Sequence, residues 1–194
     1  MPKLYLAIMA SLLLIIAAFL LSPDLRQTAL GAYGQFIEEK NSYPGQILPY
    51  NGNTVMPLER MSVCSDYGPR PDPITNEPSF HLGVDICAGE GTAVRAVRDG
   101  NIVGIGYNHE INGNWVEIQH TDGTFTTYAH LSKIANISLE DHVGAGSVIG
   151  AVGNTGRSTG PHLHFGVKDK DGSPIDPKIY LGLEDDQNID IPII

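Results

Sequence analysis

Short segments of alternating apolar residues, separated by glycine and Asp-Gly steps, limit the fold of this chain more than any other feature. Two pairs of such segments flank Asp-Gly steps: residues 92–97 and 102–106 around 99–100, and residues 115–120 and 125–128 around 122–123. This pattern is typical of β-hairpins with tight turns. Residues 143–152 and 163–168 add further predicted strands. We therefore expect a mainly β domain of about 125 residues, which is enough for a packed core.

An uncharged apolar run precedes this domain at residues 4–21. As a helix it spans roughly 27 Å, close to the hydrocarbon thickness of a bilayer. Because Lys3 precedes it, we expect an N-terminal transmembrane helix that anchors the chain in the inner membrane, with the domain in the periplasm or another extracytoplasmic space. A cleaved signal peptide is the alternative. No Ala-x-Ala follows the run, and Ala29-x-Gly31 is a distant candidate, so we expect a retained anchor.

The composition shifts along the chain predict four segments. They are an anchor at residues 1–21, a stalk or linker at 22–56, the β domain at 57–182 and an acidic tail at 183–194. The net charge of −10 argues against sequence-independent binding to nucleic acid, which needs a basic surface.

The chain has two cysteines, Cys64 and Cys87. In an exported protein an even number permits a disulfide, here closing a loop of about 22 residues. Two small buried thiols are the alternative, and the sequence alone leaves both open.

The strand predicted around residues 163–168 begins with His162 and His164. Residues two apart in a strand point to the same face, so both imidazoles project together. Such a pair can share one metal ion, or divide into one ligand and one catalytic group. Strand geometry lets either histidine reach the metal.

A second strand-like segment, residues 81–85, carries the other half of a metal site. If it is continuous, His81, Gly83 and Asp85 share one face while Leu82 and Val84 face the core. Gly83 then leaves space between the two polar side chains where an ion could sit. Imidazole and carboxylate donors suit zinc, which has three protein ligands and an open position in catalytic sites. His81, Asp85 and one histidine of the later pair form such a set.

Motifs in the same order along residues 57–182 resemble those of the lysostaphin/LytM-type zinc metallopeptidases, which cut peptide cross-links in bacterial cell walls. The matching motifs are DYGPR (66–70), HLGVD (81–85), GTAVRA (91–96), DG (99–100), GN (113–114), HTDG (120–123), YAHL (128–131), GNTG (153–156), STGPHLHF (158–165), DP (176–177) and YL (180–181).

The resemblance implies an antiparallel β-sheet metallopeptidase domain with a substrate groove. It implies one Zn²⁺ per chain, with His81, Asp85 and His164 as ligands and His130 and His162 as catalytic residues. It further implies a membrane-anchored endopeptidase that hydrolyses peptidoglycan with metal-activated water, and an envelope protein complex is a further expected partner.

Other residues are assigned with less support from the motifs. We expect Asn114, Tyr128 and the loop at residues 154–160 to line the groove. The remaining histidines, His109, His120 and His142, are expected to be structural.

Two other classes of function remain to be weighed. A non-catalytic relative that binds cell wall or activates a separate hydrolase would typically lack some ligands, whereas all five site positions are filled here. A biotinyl- or lipoyl-type carrier needs a modifiable lysine at a hairpin tip, and residues 143–153 contain none.

Overall fold

The computed structural model describes residues 54–183 of the chain. The predicted anchor at residues 1–21, the linker up to residue 53 and the acidic tail beyond residue 183 lie outside the described residues. Between residues 54 and 183 no helix is long and apolar enough to cross a membrane.

Strands dominate the described region, and one short helix follows them. The elements are β1 (Val63–Ser65), β2 (Gly68–Pro71), β3 (Pro78–His81), β4 (Gly83–Cys87), β5 (Ala93–Arg95), β6 (Gly100–His109), β7 (Gly113–His120), β8 (Phe125–Ile134), β9 (His142–Val143), β10 (Val148–Val152), β11 (His162–Lys168), β12 (Pro174–Ile175) and α1 (Pro177–Leu181).

Ten strands form the main sheet, in which β1, β4, β11, β8, β7, β6 and β9 are neighbours in that order. All of its strand pairs are antiparallel, so the prediction of a mainly antiparallel β domain is confirmed. The hairpin β7–β8 turns at Asp122 and Gly123 as predicted, with Gln119 opposite Phe125. Gly123 has a φ of 85°, which glycine adopts without strain.

The other predicted hairpin is wrong. Strand β5 pairs with β10 rather than with β6, while Gly100 already lies in β6 opposite His120 of β7. Asp99 contacts a distant part of the chain instead, since its Oδ1 accepts a hydrogen bond from the N–H of Ala145 at 2.7 Å. The Asp-Gly step therefore connects two different parts of the sheet instead of closing a tight turn.

The chain also breaks where the sequence predicted a continuous strand at residues 81–85. Strand β3 ends at His81 and β4 begins at Gly83, because the two strands belong to different sheets. Leu82 at the break is 51% exposed, so its predicted place in the core is wrong, whereas Val84 is fully buried as predicted.

Strands β2 and β3, within residues 68–81, form a separate two-stranded sheet. Gly68 pairs with His81 at one end of it. At the other end Asp72 shapes the turn, because its Oδ1 accepts hydrogen bonds from the N–H groups of Ile74 and Thr75, both at 2.9 Å. The hairpin thus ends at a histidine of the predicted site.

A disulfide joins Cys64 of β1 to Cys87 of β4, with their Cα atoms 5.7 Å apart. The register of this strand pair shifts between Val63, which lies opposite Ile86, and Ser65, which lies opposite Asp85. Cys64 is therefore the extra residue of a β-bulge. The disulfide fixes this bulge directly beside Asp85.

A buried arginine ties the helix α1 to the β7–β8 turn. Arg98 is only 3% exposed, and its guanidinium lies 3.8 Å from the ring centroid of Tyr180. Its Nη1 donates to Oδ2 of Asp122 at 2.9 Å. Because a buried cation needs a partner, these contacts hold the C-terminal helix against the sheet.

Candidate metal centre and active site

Two neighbouring strands, β4 and β11, carry the central residues of the site. Val84 and Ile86 of β4, like Leu163 and Phe165 of β11, are fully buried in the core. Side chains alternate along a strand, so the intervening residues project from the opposite face. These are Gly83 and Asp85 on β4 and His162 and His164 on β11. The paired histidines therefore share one face, as the sequence predicted.

Asp85 and His164 lie directly opposite each other in the register of β4 and β11. Nδ1 of His164 is 3.0 Å from Oδ1 of Asp85. One ligand atom from each of His81, Asp85 and His164 lies within 4.8 Å of the other two. His81 and Asp85 are buried and His164 is half-buried. These residues form a compact nitrogen–oxygen–nitrogen donor set.

The role expected for Gly83 needs correction. A Cβ at this position would lie 2.7 Å from Cε1 and 2.8 Å from Nε2 of His164, and 2.6 Å from the carbonyl oxygen of Phe165. The space above Gly83 is therefore filled by the imidazole of His164 rather than left for an ion. Glycine is needed here so that this ring can lie against the neighbouring strand.

His162 is oriented by the backbone of the loop before it. Its Nδ1 lies 2.8 Å from the carbonyl oxygen of Gly160. A carbonyl can only accept, so Nδ1 carries the proton and donates. Nε2 of His162 lies 3.5 Å from Oδ1 of Asp85.

His130 is oriented in the same way by a different loop. Its Nδ1 lies 2.8 Å from the carbonyl oxygen of Thr155, so Nε2 is the free acceptor. The backbone N–H of His130 donates to the carbonyl of Asn112 at 2.9 Å, and φ is 62°, an uncommon value for a residue other than glycine. Its ring centroid is 4.7 Å from that of His162 and 5.8 Å from that of His164.

The environment of His130 favours its neutral form. Burial lowers the pKa of His130 to about 4, and the nearby imidazoles of His162 and His164 lower it as well, although the hydrogen bond to the Thr155 carbonyl raises it. At neutral pH the ring accepts a hydrogen bond at Nε2 instead of carrying a charge. His130 thus presents a neutral acceptor beside the three-residue donor set.

A model of the family described as "Peptidase family M23" matches residues 79–177, which include this whole constellation. The chain belongs to peptidase family M23. Its M23 domain is 42% identical over 134 residues to the DD-carboxypeptidase/endopeptidase Mpg of Neisseria meningitidis, a match covering 69% of this chain and 30% of that protein. It is 39% identical over 110 residues to the peptidoglycan DD-endopeptidase ShyC of Vibrio cholerae, covering 56% of this chain and 25% of that protein. The chain thus spans less than a third of the length of these curated relatives.

Comparison with solved structures shows that the fold is also similar to that of known peptidases. The M23 domain is similar to the catalytic domain of the antimicrobial peptidase lysostaphin from Staphylococcus simulans, with 35% identity and a TM-score of 0.57 over 63% of this chain and 92% of that one. It is also similar to a zinc containing peptidase from Vibrio cholerae, with 29% identity and a TM-score of 0.55 over 69% of this chain and 41% of that one.

Tyr128, which the sequence analysis assigned to the groove, lies in the core of the M23 domain. Its side chain is fully buried, and its hydroxyl accepts from the N–H of Val97 at 2.9 Å. Burial raises the pKa of this hydroxyl well above its ordinary range. The groove assignment is wrong: alternation would place Tyr128 and His130, two residues apart in β8, on one face, but the positive φ of His130 interrupts the alternation and Tyr128 packs into the core.

Asn114 lies near the active site, but its side chain is occupied by backbone groups. Its Nδ2 donates to the carbonyl of Leu131 at 3.0 Å, and its Oδ1 accepts from the N–H of Asn108 at 3.1 Å. Asn114 therefore shapes the turn before β7.

The three remaining histidines make hydrogen bonds away from the donor set. Nδ1 of His120 lies 2.9 Å from the Asp99 carbonyl, and burial lowers the pKa of its ring. Nδ1 of His109 accepts from the N–H of Asn112 at 3.1 Å. His142 lies on β9, with Nδ1 3.2 Å from Oδ1 of Asn101.

Sequence reasoning missed the groups that orient the two histidines. They are the backbone carbonyls of Thr155 and Gly160, both in the loop that was expected to line the groove. A carbonyl belongs to every residue, so no side-chain pattern marks the ones that face a histidine.

Proposed function

We propose that this chain is a zinc endopeptidase that hydrolyses peptide cross-links of bacterial peptidoglycan. One observation carries the proposal: Nδ1 of His130 and Nδ1 of His162 each lie 2.8 Å from a backbone carbonyl oxygen, which leaves both Nε2 atoms beside the donor set of His81, Asp85 and His164. The names of the relatives support the substrate class, since they include a DD-endopeptidase of peptidoglycan and a glycyl-glycine endopeptidase.

The donor set fits one zinc ion. Zinc in catalytic sites takes three protein ligands from histidine and carboxylate side chains and keeps an open position. His81, Asp85 and His164 supply two imidazoles and one carboxylate, with ligand atoms within 4.8 Å of one another. His164 rather than His162 belongs to this compact set, and His162 is left beside it with its Nδ1 on the carbonyl of Gly160.

When bound, zinc supplies Lewis-acid polarisation of the scissile carbonyl and lowers the pKa of water. The protein's own part is proton transfer and charge stabilisation. Nε2 of His130 or His162 can accept a proton from the attacking water, and the protonated ring can then donate a hydrogen bond to the developing oxyanion or to the leaving amine. The carbonyls of Thr155 and Gly160 keep each Nδ1 protonated throughout.

We further propose that the enzyme works outside the cytoplasm, held to the membrane by residues 1–21 and associated with other envelope proteins. The apolar run supports the anchor, and a disulfide is typical of an oxidising compartment. N-terminal sequencing of the mature protein tests the anchor. A mature start between Ser22 and Tyr33 would identify a cleaved signal peptide instead.

Digestion of purified sacculi by the full-length chain, with zinc analysis of each variant, tests the function. We expect His164→Ala to lose most bound zinc. His130→Ala and His162→Ala should keep about one equivalent of zinc and lose activity by roughly 10²- to 10⁴-fold. His142→Ala, an exposed histidine on β9, is the matched control and should behave like the wild type.

Three results of that experiment would contradict the proposal. If the wild type releases no peptide fragments from sacculi, the proposed substrate is wrong. If His162→Ala loses zinc while His164→Ala retains it, the two roles are reversed. If the His130 and His162 variants both remain fully active, neither residue is catalytic.

A further inference from the structure

Trp115, the chain's single tryptophan, lies on β7 between Asn114 and Val116. Val116 and Ile118 of the same strand are fully buried in the core. Alternation along the strand therefore sends Trp115 to the opposite face of the sheet. The side chain is only half-buried there and lies outside the core cluster.

The indole of Trp115 lies across two glycines of the neighbouring strand β6. A Cβ at Gly104 would be 2.6 Å from Cζ3 and 2.9 Å from Cη2 of the indole, so the six-membered ring covers this glycine. A Cβ at Gly106 would overlap Nε1 and lie 2.6 Å from Cε2, so the five-membered ring covers that one. One face of the indole therefore rests on bare backbone, which leaves its other face directed away from the sheet.

The metal centre occupies the same face of the same sheet, since Asp85 and His164 also project opposite the core. A second set of contacts on this face is independent of the histidines. Oε1 of Glu117 on β7 accepts from Nζ of Lys168 on β11 at 2.6 Å and from Oγ1 of Thr127 on β8 at 3.1 Å. Strands β7, β8 and β11 thus form one continuous surface between the indole and the donor set.

The strand register gives the distance between Trp115 and His164. His164 on β11 is opposite Ala129 on β8. On the other side of β8, Asn114 is opposite Leu131 and Val116 is opposite Tyr128, so Trp115 faces the 129–130 segment. Trp115 and His164 are therefore two strand spacings apart, or roughly 10 Å.

We propose that the outward face of Trp115 is a substrate-binding platform, on which an aliphatic part of the peptidoglycan peptide packs. This inference rests on the proposed function. An extended peptide advances about 3.3 Å per residue, so a span of roughly 10 Å places the contacted residue about three positions from the scissile bond. Aromatic side chains bind aliphatic groups through a large, rigid, apolar surface, which makes them frequent sources of binding energy.

A purely structural role is the competing explanation, because tryptophan also stabilises glycine-rich strands by covering them. The two roles differ in what they change. A structural role affects the free energy of unfolding, whereas a platform affects KM for the substrate. Loss of binding that is equal in the ground state and the transition state raises KM and leaves kcat unchanged.

The first experiment measures kcat and KM of the full-length, zinc-loaded chain on soluble cross-linked muropeptides released from sacculi by a muramidase. Trp115→Ala should raise KM by about ten- to thirtyfold with kcat within about twofold of the wild type. Trp115→Phe keeps a flat ring and should recover most of the loss. Ile179→Ala removes another exposed apolar side chain, on α1, and should leave both constants unchanged. An unchanged KM in Trp115→Ala, accompanied only by a lower melting temperature, would overturn the inference.

The second experiment uses Trp115 as its own reporter. In the His130→Ala chain, which should not turn over substrate, all tryptophan emission comes from this residue. Titration with the same cross-linked muropeptides should shift the emission in a saturable way. Peptides that end within two residues of the scissile bond on both sides should not shift it. No shift with the full muropeptide, or an equal shift with the short peptides, would contradict the platform.

The two proposals can fail separately. If the wild type does not cleave the muropeptides but their titration still shifts the emission, the platform stands and the proposed function fails. If the wild type cleaves them and neither KM nor emission depends on residue 115, the function stands and the platform fails.

Discussion

Thr155 is joined to His130 through its backbone and to the surrounding strands through its side chain. Its carbonyl oxygen lies 2.8 Å from Nδ1 of His130. Its hydroxyl donates to the carbonyl of Leu131 at 2.9 Å and accepts from the N–H of Asn114 at 3.0 Å. The residue that orients the imidazole is therefore itself held by the start of β7 and by the second half of β8.

Removing the hydroxyl of Thr155 should release the carbonyl that orients His130. We expect Thr155→Ala to lower sacculus-cutting activity about tenfold or more, while Thr155→Ser, which keeps the hydroxyl, should stay within about twofold of the wild type. Nitrogen-15 NMR of the histidine rings should show mixed tautomers of His130 in the alanine variant only. A single Nδ1–H tautomer in Thr155→Ala would show that the hydroxyl has no part in orienting the ring.

A methyl group at Gly83 should displace the imidazole of His164. In Gly83→Ala the new Cβ would be under 3 Å from two atoms of that ring and from the Phe165 carbonyl. Overpacking of this kind typically costs about 1–3 kcal/mol and shifts the neighbouring groups. We expect a lower zinc content and a lower melting temperature.

Gly89 provides the control for this substitution. A Cβ there would meet only Oγ1 of Thr92, at 4.0 Å, so Gly89→Ala should bind zinc like the wild type. Full zinc occupancy in Gly83→Ala would contradict the tight approach of β4 to His164.

Asp122 should make the stability of the domain sensitive to acid. Burial raises the pKa of this carboxyl, but hydrogen bonds from Thr124 and the charge of Arg98 outweigh it and leave the pKa below its ordinary value of 3.8. A carboxylate with a lowered pKa adds stability above its unfolded pKa, and this stability is lost as the pH falls through the folded pKa. The free energy of unfolding of the wild type should therefore exceed that of Asp122→Asn near neutral pH. The difference should shrink below about pH 4 in urea titrations. A difference that is constant or grows towards acid pH would exclude this role.

The disulfide should stabilise both the fold and the metal centre. Its cysteines are 23 residues apart in sequence, and closing such a loop contributes about 3 kcal/mol in the chain-entropy model. We expect the double variant Cys64→Ser, Cys87→Ser to melt at a lower temperature. It should also lose zinc to a chelator faster, because the bulge beside Asp85 is no longer fixed.

Reduction of the wild type with a thiol should reproduce the behaviour of the double variant, and this serves as its control. Equal rates of zinc release from the oxidised, reduced and serine-substituted proteins would show that the disulfide does not stabilise the metal centre. Two freely alkylated thiols in protein taken from its native compartment would show that the bond does not form there.

Local pattern predicted a large part of the fold and of the site. Alternation indicated the strands around residues 115–120 and 163–168, and it placed His162 and His164 on one face. These features depend only on the period of a strand and on the chemistry of a tight turn at Asp122 and Gly123, so a sequence contains them in full.

Long-range pairing is what the sequence did not contain. The pattern at residues 92–97 indicates a strand, but its partner is β10, about 50 residues later, and no local signal identifies it. Tyr128 was expected in the groove, two residues before His130, but no local pattern shows that the backbone turns to a positive φ at His130 while Tyr128 stays in the core. The break at Leu82 has a similar cause, because a change of sheet leaves the alternation of residues 81–85 intact.

The short strands at the ends of the main sheet have a consequence for how a partner chain can approach. In the part of the chain that the structure describes, the sheet's path ends in β1, with three residues, and in β9, with two. The first is bulged at Cys64 and covalently bonded to its neighbour. Neither of these two end strands is itself long enough to pair with an added strand, which is the usual route to fibre-like association and to peptide capture by an exposed edge. A peptide that reaches β1 or β9 would therefore lie across the strands instead of joining them.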